Sequence, residues 1–436
     1  MTEGSAPPPG PRRAALIFIF ATVLLDVLAL GVVIPVLPPL IQDFLGGDTA
    51  RAAGVYGLFG TVWALMQFLC SPFLGALSDR YGRRPVILIS CAGLGLDYFL
   101  MALAPGLGWL FAGRVISGMT AASFSTAWAY VADVTPPEKR SATFGLVGAA
   151  WGLGFVLGPA LGGELGRFAP RLPFWVSGAL ALANALYGLF VLPESLPPDR
   201  RSPFSWARAN PLGSLRLLGS HAGLLGLGLV YFLYQLAHQV LPSVFVLYAG
   251  HRYGWEPWTV GRVMALVGIS GIIVQAGVVR QFVRRFGERS ALLTGLFFGT
   301  AGFAVYGLAG SGGVFLVAVP IFAFMGLFNP AAQAIMTRRV GPREQGQLQG
   351  ANASLAGIAG MAGPVLFSRT FAQAIGPWKS WGVPGAPFLL AGLLVAVAIP
   401  LAGWVTRGAG QTERVPDPPG GPGPEALSEE RKKGAS

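Results

Sequence analysis

Two carboxylates and one guanidinium stand inside otherwise apolar runs of this chain: Asp26, Asp97 and Arg114. Ionisable groups in such surroundings are costly, and they face a cavity or a partner. A carboxyl group there can take up and release a proton, because desolvation favours the acid while a nearby guanidinium favours the carboxylate. Asp97 and Arg114 flank a turn near Pro105 and Gly108. At 1.5 Å per residue their depths differ by about 3–5 Å, so a pair is geometrically feasible. Two readings stay open for it: a static ion pair that fixes helix packing, or a proton site that conformational change switches. Asp26 has no basic neighbour in sequence and is the stronger candidate for a proton carrier.

The second half of the chain offers only neutral polar groups inside its apolar runs. Gln235, His238 and Gln239 fall at i, i+3 and i+4 and share one helix face. Asn329 and Gln333 share another face, and Gln275 stands alone. Such groups either hydrogen-bond between helices or line a cavity for a solute. Catalysis lacks a constellation: HExxH, GxSxG, a GxxxxGK phosphate loop and clustered Cys or His are all missing. The expectation is a protein that is not an enzyme and uses no cofactor and no metal.

The elements that hold these residues must be membrane spans. Of 436 residues, 53% are hydrophobic and 11% charged, and mean hydropathy is +0.59. A soluble chain of this length needs more charge to cover its surface. Apolar runs of about 20 residues, each enough to cross a bilayer, recur from Ala14 to Trp404. The pattern predicts an all-α integral membrane protein with twelve spans near 14–38, 54–76, 85–104, 108–131, 141–165, 173–193, 221–248, 258–280, 290–308, 313–337, 347–371 and 384–406. Residues 14–193 and 221–406 form two six-helix halves, joined by a polar linker over 194–220. Residues 1–13 and 407–436 are expected to be disordered by composition. The run after Arg12 and Arg13 contains Asp26 and lacks a small-residue cleavage site, so it reads as a retained span, not a signal peptide.

The net charge of +12 comes from arginines and lysines in loops, which speak for topology, not for nucleic-acid binding. One side collects Arg12, Arg13, Arg80, Arg83, Arg84, Lys139, Arg140, Arg200, Arg201, Arg208, Arg284 and Arg338, among others. That bias places both termini in the cytoplasm. Cys70 and Cys91 fall within spans, so no structural disulfide is expected.

Two motifs stand out. GALSDRYGRR over 75–84 is a short cationic hairpin in which Asp79 sits among Arg80, Arg83 and Arg84, with Gly75 and Gly82 for close approach and a tight turn. Gly154, Gly158, Pro159 and Gly162 make a glycine–proline run in span five, read first as close packing with a proline kink. The halves repeat: Gly82 and Gly287, Gly145 and Gly350, and Gly158-Pro159 and Gly363-Pro364 are each 205 residues apart.

The hairpin resembles the loop between spans two and three of major facilitator superfamily transporters. LLDVLALGVVIPVLP at 24–38, LDYFLMAL at 96–103, GRVISG at 113–118 and QGQLQG at 345–350 are similar to the tetracycline-exporter branch of drug:proton antiporters. The resemblance implies that Asp26, Asp97 and Arg114 serve proton coupling. It makes Gly75, Asp79, Arg80, Gly82, Arg83 and Arg84 the cytoplasmic gate, and Gly154, Gly158, Pro159 and Gly162 the antiporter kink. Gln235, His238, Gln239, Gln275, Asn329 and Gln333 are then candidates for the substrate cavity. Tetracycline exporters carry an acid in span nine and a His in span eight, and here those positions hold Gly299 and Gly271. The expectation is therefore a monomeric, proton-coupled exporter of a drug or amphipathic metabolite in the cell (inner) membrane, with antibiotic resistance as one outcome. Its partners are protons, a small-molecule substrate and the lipid bilayer, with no nucleic acid. The alternatives are a proton-coupled importer of a sugar or organic acid and a non-transporting membrane sensor.

Overall fold

The computed structural model describes residues 13–121, 123–136, 139–204, 210 and 212–407. The expected disordered ends lie outside the described residues but for Arg13 and Arg407, and Arg208 of the linker lies outside them too. Among the described residues every element formed is helical, as a lipid setting demands, because each backbone N–H and C=O must find its partner within the chain.

The first span is Arg13–Val33, carried on by Leu37–Phe44. Thr49–Tyr81, Arg83–Ala102, Arg140–Phe168 and Leu172–Val191 are the second, third, fifth and sixth. The fourth is Leu107–Thr120 continued by Ser123–Val134. Leu224–His238 and Val240–Tyr253 make the seventh, Gly312–Ala323 with Phe328–Thr337 the tenth, and Gln345–Ile375 and Ala386–Val405 the last two. Between them runs a helical stretch of 52 residues, Pro257–Leu308. At 1.5 Å per residue it is more than twice the thickness of a hydrocarbon core, about 30 Å. It breaks at Gly287, whose φ of 78° and ψ of 166° are not helical, and so supplies the eighth and ninth spans. Twelve crossings result, in two halves of six. Several extend past the predicted edges, the second by five residues at each end.

Prolines mark the starts of helices at Pro173, Pro257 and Pro387, where a missing N–H costs nothing. The second half packs around an aromatic core, with Tyr306 and Phe315 stacked at 4.2 Å and Tyr248 edge-on to Phe388 at 5.0 Å. The first half has glycine seams, with Gly31 set against Gly158.

The internal repeat has a three-dimensional counterpart. Gly82 (φ 105°) and Gly287 (φ 78°) both adopt a backbone that side chains resist. Arg83 Nε lies 3.1 Å from Asp133 Oδ2, and Arg338 Nη2 lies 2.6 Å from Glu288 Oε1. Both members of the second pair are offset by 205 from the first, with the charges exchanged. Arg84 donates to the Leu189 carbonyl at 2.6 Å, and its counterpart Arg289 to Thr406 Oγ1 at 3.2 Å. Gly82→Ala and Gly287→Ala will each cost about 1–3 kcal/mol in backbone strain. The first will cost more, because its Cβ would overlap the Glu194 carboxylate while that of Gly287 meets nothing. Thermal unfolding midpoints in detergent will show the order; equal losses would refute the role of Glu194.

Candidate functional site

Asp26 is buried between the first, third and sixth spans, at 4% exposure. Asn184 Nδ2 donates to its Oδ1 at 3.1 Å, and the Cys91 thiol lies 3.7 Å from both oxygens. No cation pairs with it among the described residues. Around this triad Ile19, Val23, Val27, Ile87 and Tyr130 close an apolar shell. No basic residue is near Asp26 in sequence, and its side-chain partners in space are neutral. Asn184 and Cys91 escaped sequence reading because nothing local ties a sixth-span amide to a first-span acid.

Asp97 is 1% exposed and lies beside the Ser117 hydroxyl of the fourth span. Oδ1 lies against the backbone of Gly113, where a Cβ would come within 2.8 Å. Arg114 is next in sequence, yet no N–O approach within 4.0 Å joins it to Asp97, although the two are near enough to interact electrostatically. The guanidinium sits instead over the Trp63 ring, 5.7 Å from its centroid. Among the described residues Arg114 forms no ion pair and donates no hydrogen bond. A cation–π contact is worth about 0.5–2 kcal/mol, while desolvating an ion costs several. The ring alone does not compensate the charge. Trp63 Nε1, close by on the second span, is buried without a hydrogen-bond partner among the described residues.

The polar groups of the second half divide. His238, Gln275 and Asn329 are exposed, whereas Gln235, Gln239 and Gln333 are half-buried. His238 stacks on Tyr234 at 6.2 Å. Gln275 rides on a π-helical turn, Val274–Val278, a local widening often found at functional sites. Gln333 Oε1 accepts from Gln349 and Asn352 at 3.3 and 3.2 Å, and Gln239 packs against Gly363. Gln333 thereby links the tenth and eleventh spans by hydrogen bonds, and Gln239 packs against the eleventh.

The halves meet on the side away from Arg13 and Arg407. Arg262 Nε and Nη2 reach Glu164 Oε1 at 3.0 and 2.5 Å, and Arg167 Nη1 reaches Oε2 at 3.2 Å. Trp258 lies beneath both guanidinium groups, at 4.5 and 5.2 Å. Tyr56 Oη donates to the Pro242 carbonyl at 3.1 Å, and Thr61 Oγ1 to that of Met361 at 2.7 Å. Glycine allows the approach. A Cβ on Gly57 would come 2.7 Å from the Pro364 carbonyl, and one on Gly261 would overlap the Pro159 carbonyl. The two repeated prolines therefore make reciprocal contacts between halves.

The glycine run of span five is a packing seam. Gly154 abuts Val27, Gly158 abuts Gly31, and Gly162 abuts the Val32 carbonyl. The helix Arg140–Phe168 continues through Pro159.

The cationic hairpin binds within its own half. Asp79 Oδ1 meets Arg83 Nη1 at 2.6 Å, and Arg83 also meets Asp133. Glu194 accepts from the backbone N–H of Arg83 and Arg84 at 2.8 and 3.3 Å, capping the third span. The linker joins in through the Ser202 N–H, which donates to the Asp79 carbonyl at 3.1 Å. Arg80 lies over Tyr81. Gly75, Asp79 and Arg83 border a hollow of about 320 Å³. Asp133 and Glu194 were missed in the sequence because both read as ordinary loop acids.

Comparison with known proteins agrees with this architecture. A profile of the Major Facilitator Superfamily matches residues 19–364. The class C tetracycline resistance protein of Escherichia coli is 38% identical over 378 residues, 86% of this chain and 95% of that protein. The class G protein of Vibrio anguillarum is 35% identical, covering 89% and 97%. Among solved structures, the human organic anion transporter MFSD10 (TETRAN) shares 26% identity and a TM-score of 0.67, over 91% of this chain and all of that one. A bacterial homolog of the human lysosomal transporter Spinster, inward-facing and occupied, has a TM-score of 0.71 at 17% identity, over 93% and 98%. It supports the fold alone. This chain is a multi-pass membrane transporter, not an enzyme, and it belongs to the Major Facilitator Superfamily, related to the tetracycline resistance proteins.

Proposed function

We propose that the protein exports a small amphipathic drug or metabolite in exchange for protons, by alternating access between its halves. The observation that carries this reading is Asp26, a buried carboxyl group held by neutral donors alone. Likeness to tetracycline resistance proteins supports export. In this scheme the membrane is the bacterial inner membrane, and the arginine-rich side is cytoplasmic. Contacts between the halves at the opposite ends then correspond to an inward-open state. The far side opens, Asp26 takes a proton there, and the return releases it inside and admits the solute. Asp97 is the second titratable group of the cycle, restrained by the nearby Arg114. A membrane potential supplies about 2.3 kcal/mol per charge per 100 mV.

The test is proton movement across everted vesicles containing the protein, against tetracycline, lipophilic cations and neutral drugs. Solute-dependent proton efflux from the vesicle lumen, collapsed by a protonophore, is the expected result. A protein that moves no proton and no solute would leave the sensor reading. One observation favours an organic acid importer as second reading: the unpaired Arg114, in a chain similar to an organic anion transporter. Uptake of solute and proton in the same direction would identify it.

A further inference from the structure

We propose that Arg114 and Trp63 form a subsite for an oxyanion carried on a planar aromatic solute. The proposal rests on the transport reading but assigns it a solute class. Arg114 is 8% exposed, and among the described residues no carboxylate pairs with it. Its planar fork is shaped for a carboxylate, sulfonate or enolate, which accepts two parallel N–H bonds. The Trp63 face already lies against the guanidinium, so a flat ring has an apolar surface beside the anion. Trp63 Nε1, buried and without a partner among the described residues, supplies a further hydrogen bond. The subsite sits where the second span meets the other half, since Tyr56, within electrostatic reach of Arg114, donates to Pro242 of the seventh span.

Asp97 is the internal rival. It is near enough to Arg114 to interact with it electrostatically, so an ionised Asp97 competes with the solute for the same guanidinium. Neutralising Asp97 strengthens anion binding, whereas a cation-binding site would lose affinity on the same change. This sign separates the two solute classes.

The experiment uses the purified full chain in nanodiscs, with three matched probes followed by calorimetry: 2-naphthoate, 2-naphthamide and trimethyl(2-naphthyl)ammonium. 2-Naphthoate is expected to bind about tenfold or more tighter than the amide, with the ammonium weakest. Arg114→Gln should erase the preference, Arg114→Lys should keep part of it, and Asp97→Asn should tighten 2-naphthoate several-fold, to a degree of order one charge–charge contact. Size-exclusion profiles and circular dichroism check folding. If Arg114→Gln does not fold, the lysine and Asp97→Asn variants still decide. Equal binding of acid and amide, no binding of the acid, or weaker acid binding by Asp97→Asn overturns the subsite. Failure of the antiport reading looks different: the acid binds but no proton moves with any solute. Proton exchange with a cationic drug, with no acid binding, keeps antiport and removes the subsite.

Discussion

Asp26→Asn will reduce solute-driven proton movement in everted vesicles to the level of vesicles without the protein, while the variant folds and inserts as the parent does. Asparagine has nearly the volume of aspartate, and its amide oxygen can still accept from Asn184, so the junction of the first, third and sixth spans is preserved. What it removes is the ability to ionise. A buried charge held by two neutral donors carries a large desolvation cost, which protonation relieves, so ionisation there is coupled to any motion that admits water. Size-exclusion and thermal unfolding should match the parent within about 1 kcal/mol. Proton movement at the parent's rate would eliminate Asp26 as the carrier and leave Asp97 as the remaining buried acid.

Gly261→Val will prevent the closure of the halves on the side away from the termini. A Cβ there overlaps the Pro159 carbonyl, and both partners are backbone inside continuous helices. Neither can move without shifting a helix, so several kcal/mol are at stake, enough to displace a two-state equilibrium by more than a hundredfold. The ion pair beside it is more conspicuous but weaker. Arg262 and Glu164 have side chains 58% and 38% exposed, and so open a pair is screened by solvent and contributes little. Spin labels at Thr49→Cys and Glu256→Cys, which flank a hollow between the halves, with Cys70 and Cys91 replaced by Ser, read the separation. Gly261→Val should lengthen it and stop transport, and Arg262→Ala should leave most molecules closed. If Arg262→Ala opens the molecule and Gly261→Val does not, charge and not packing holds this side.

Much of this was legible along the chain. Span number and halves follow from apolar runs and the 205-residue repeat, because a bilayer leaves a chain no option except internally bonded helices. Gly82 and Gly287 were readable as equivalent turns, since only glycine tolerates their backbone. The burial of Asp26, Asp97 and Arg114 was readable for the same reason that they are conspicuous: each interrupts a hydrophobic run.

Partnerships were not legible. Asp97 and Arg114 sit at similar depths on a hairpin, yet helix rotation turns Arg114 towards Trp63 and leaves Asp97 against Gly113. Depth is a property of residue count, whereas facing depends on how three helices pack. Asp26 finds Asn184 from 158 residues away, and Arg83 finds Asp133 and Glu194. Gln333, expected in a cavity, spends its oxygen on two neighbouring amides. The sequence by itself determined which residues enter the membrane and which backbone turns need glycine, because those depend on local composition and local dihedrals. Only the tertiary structure decided which buried charge is left without a partner, because that depends on the rotation of each helix against its neighbours.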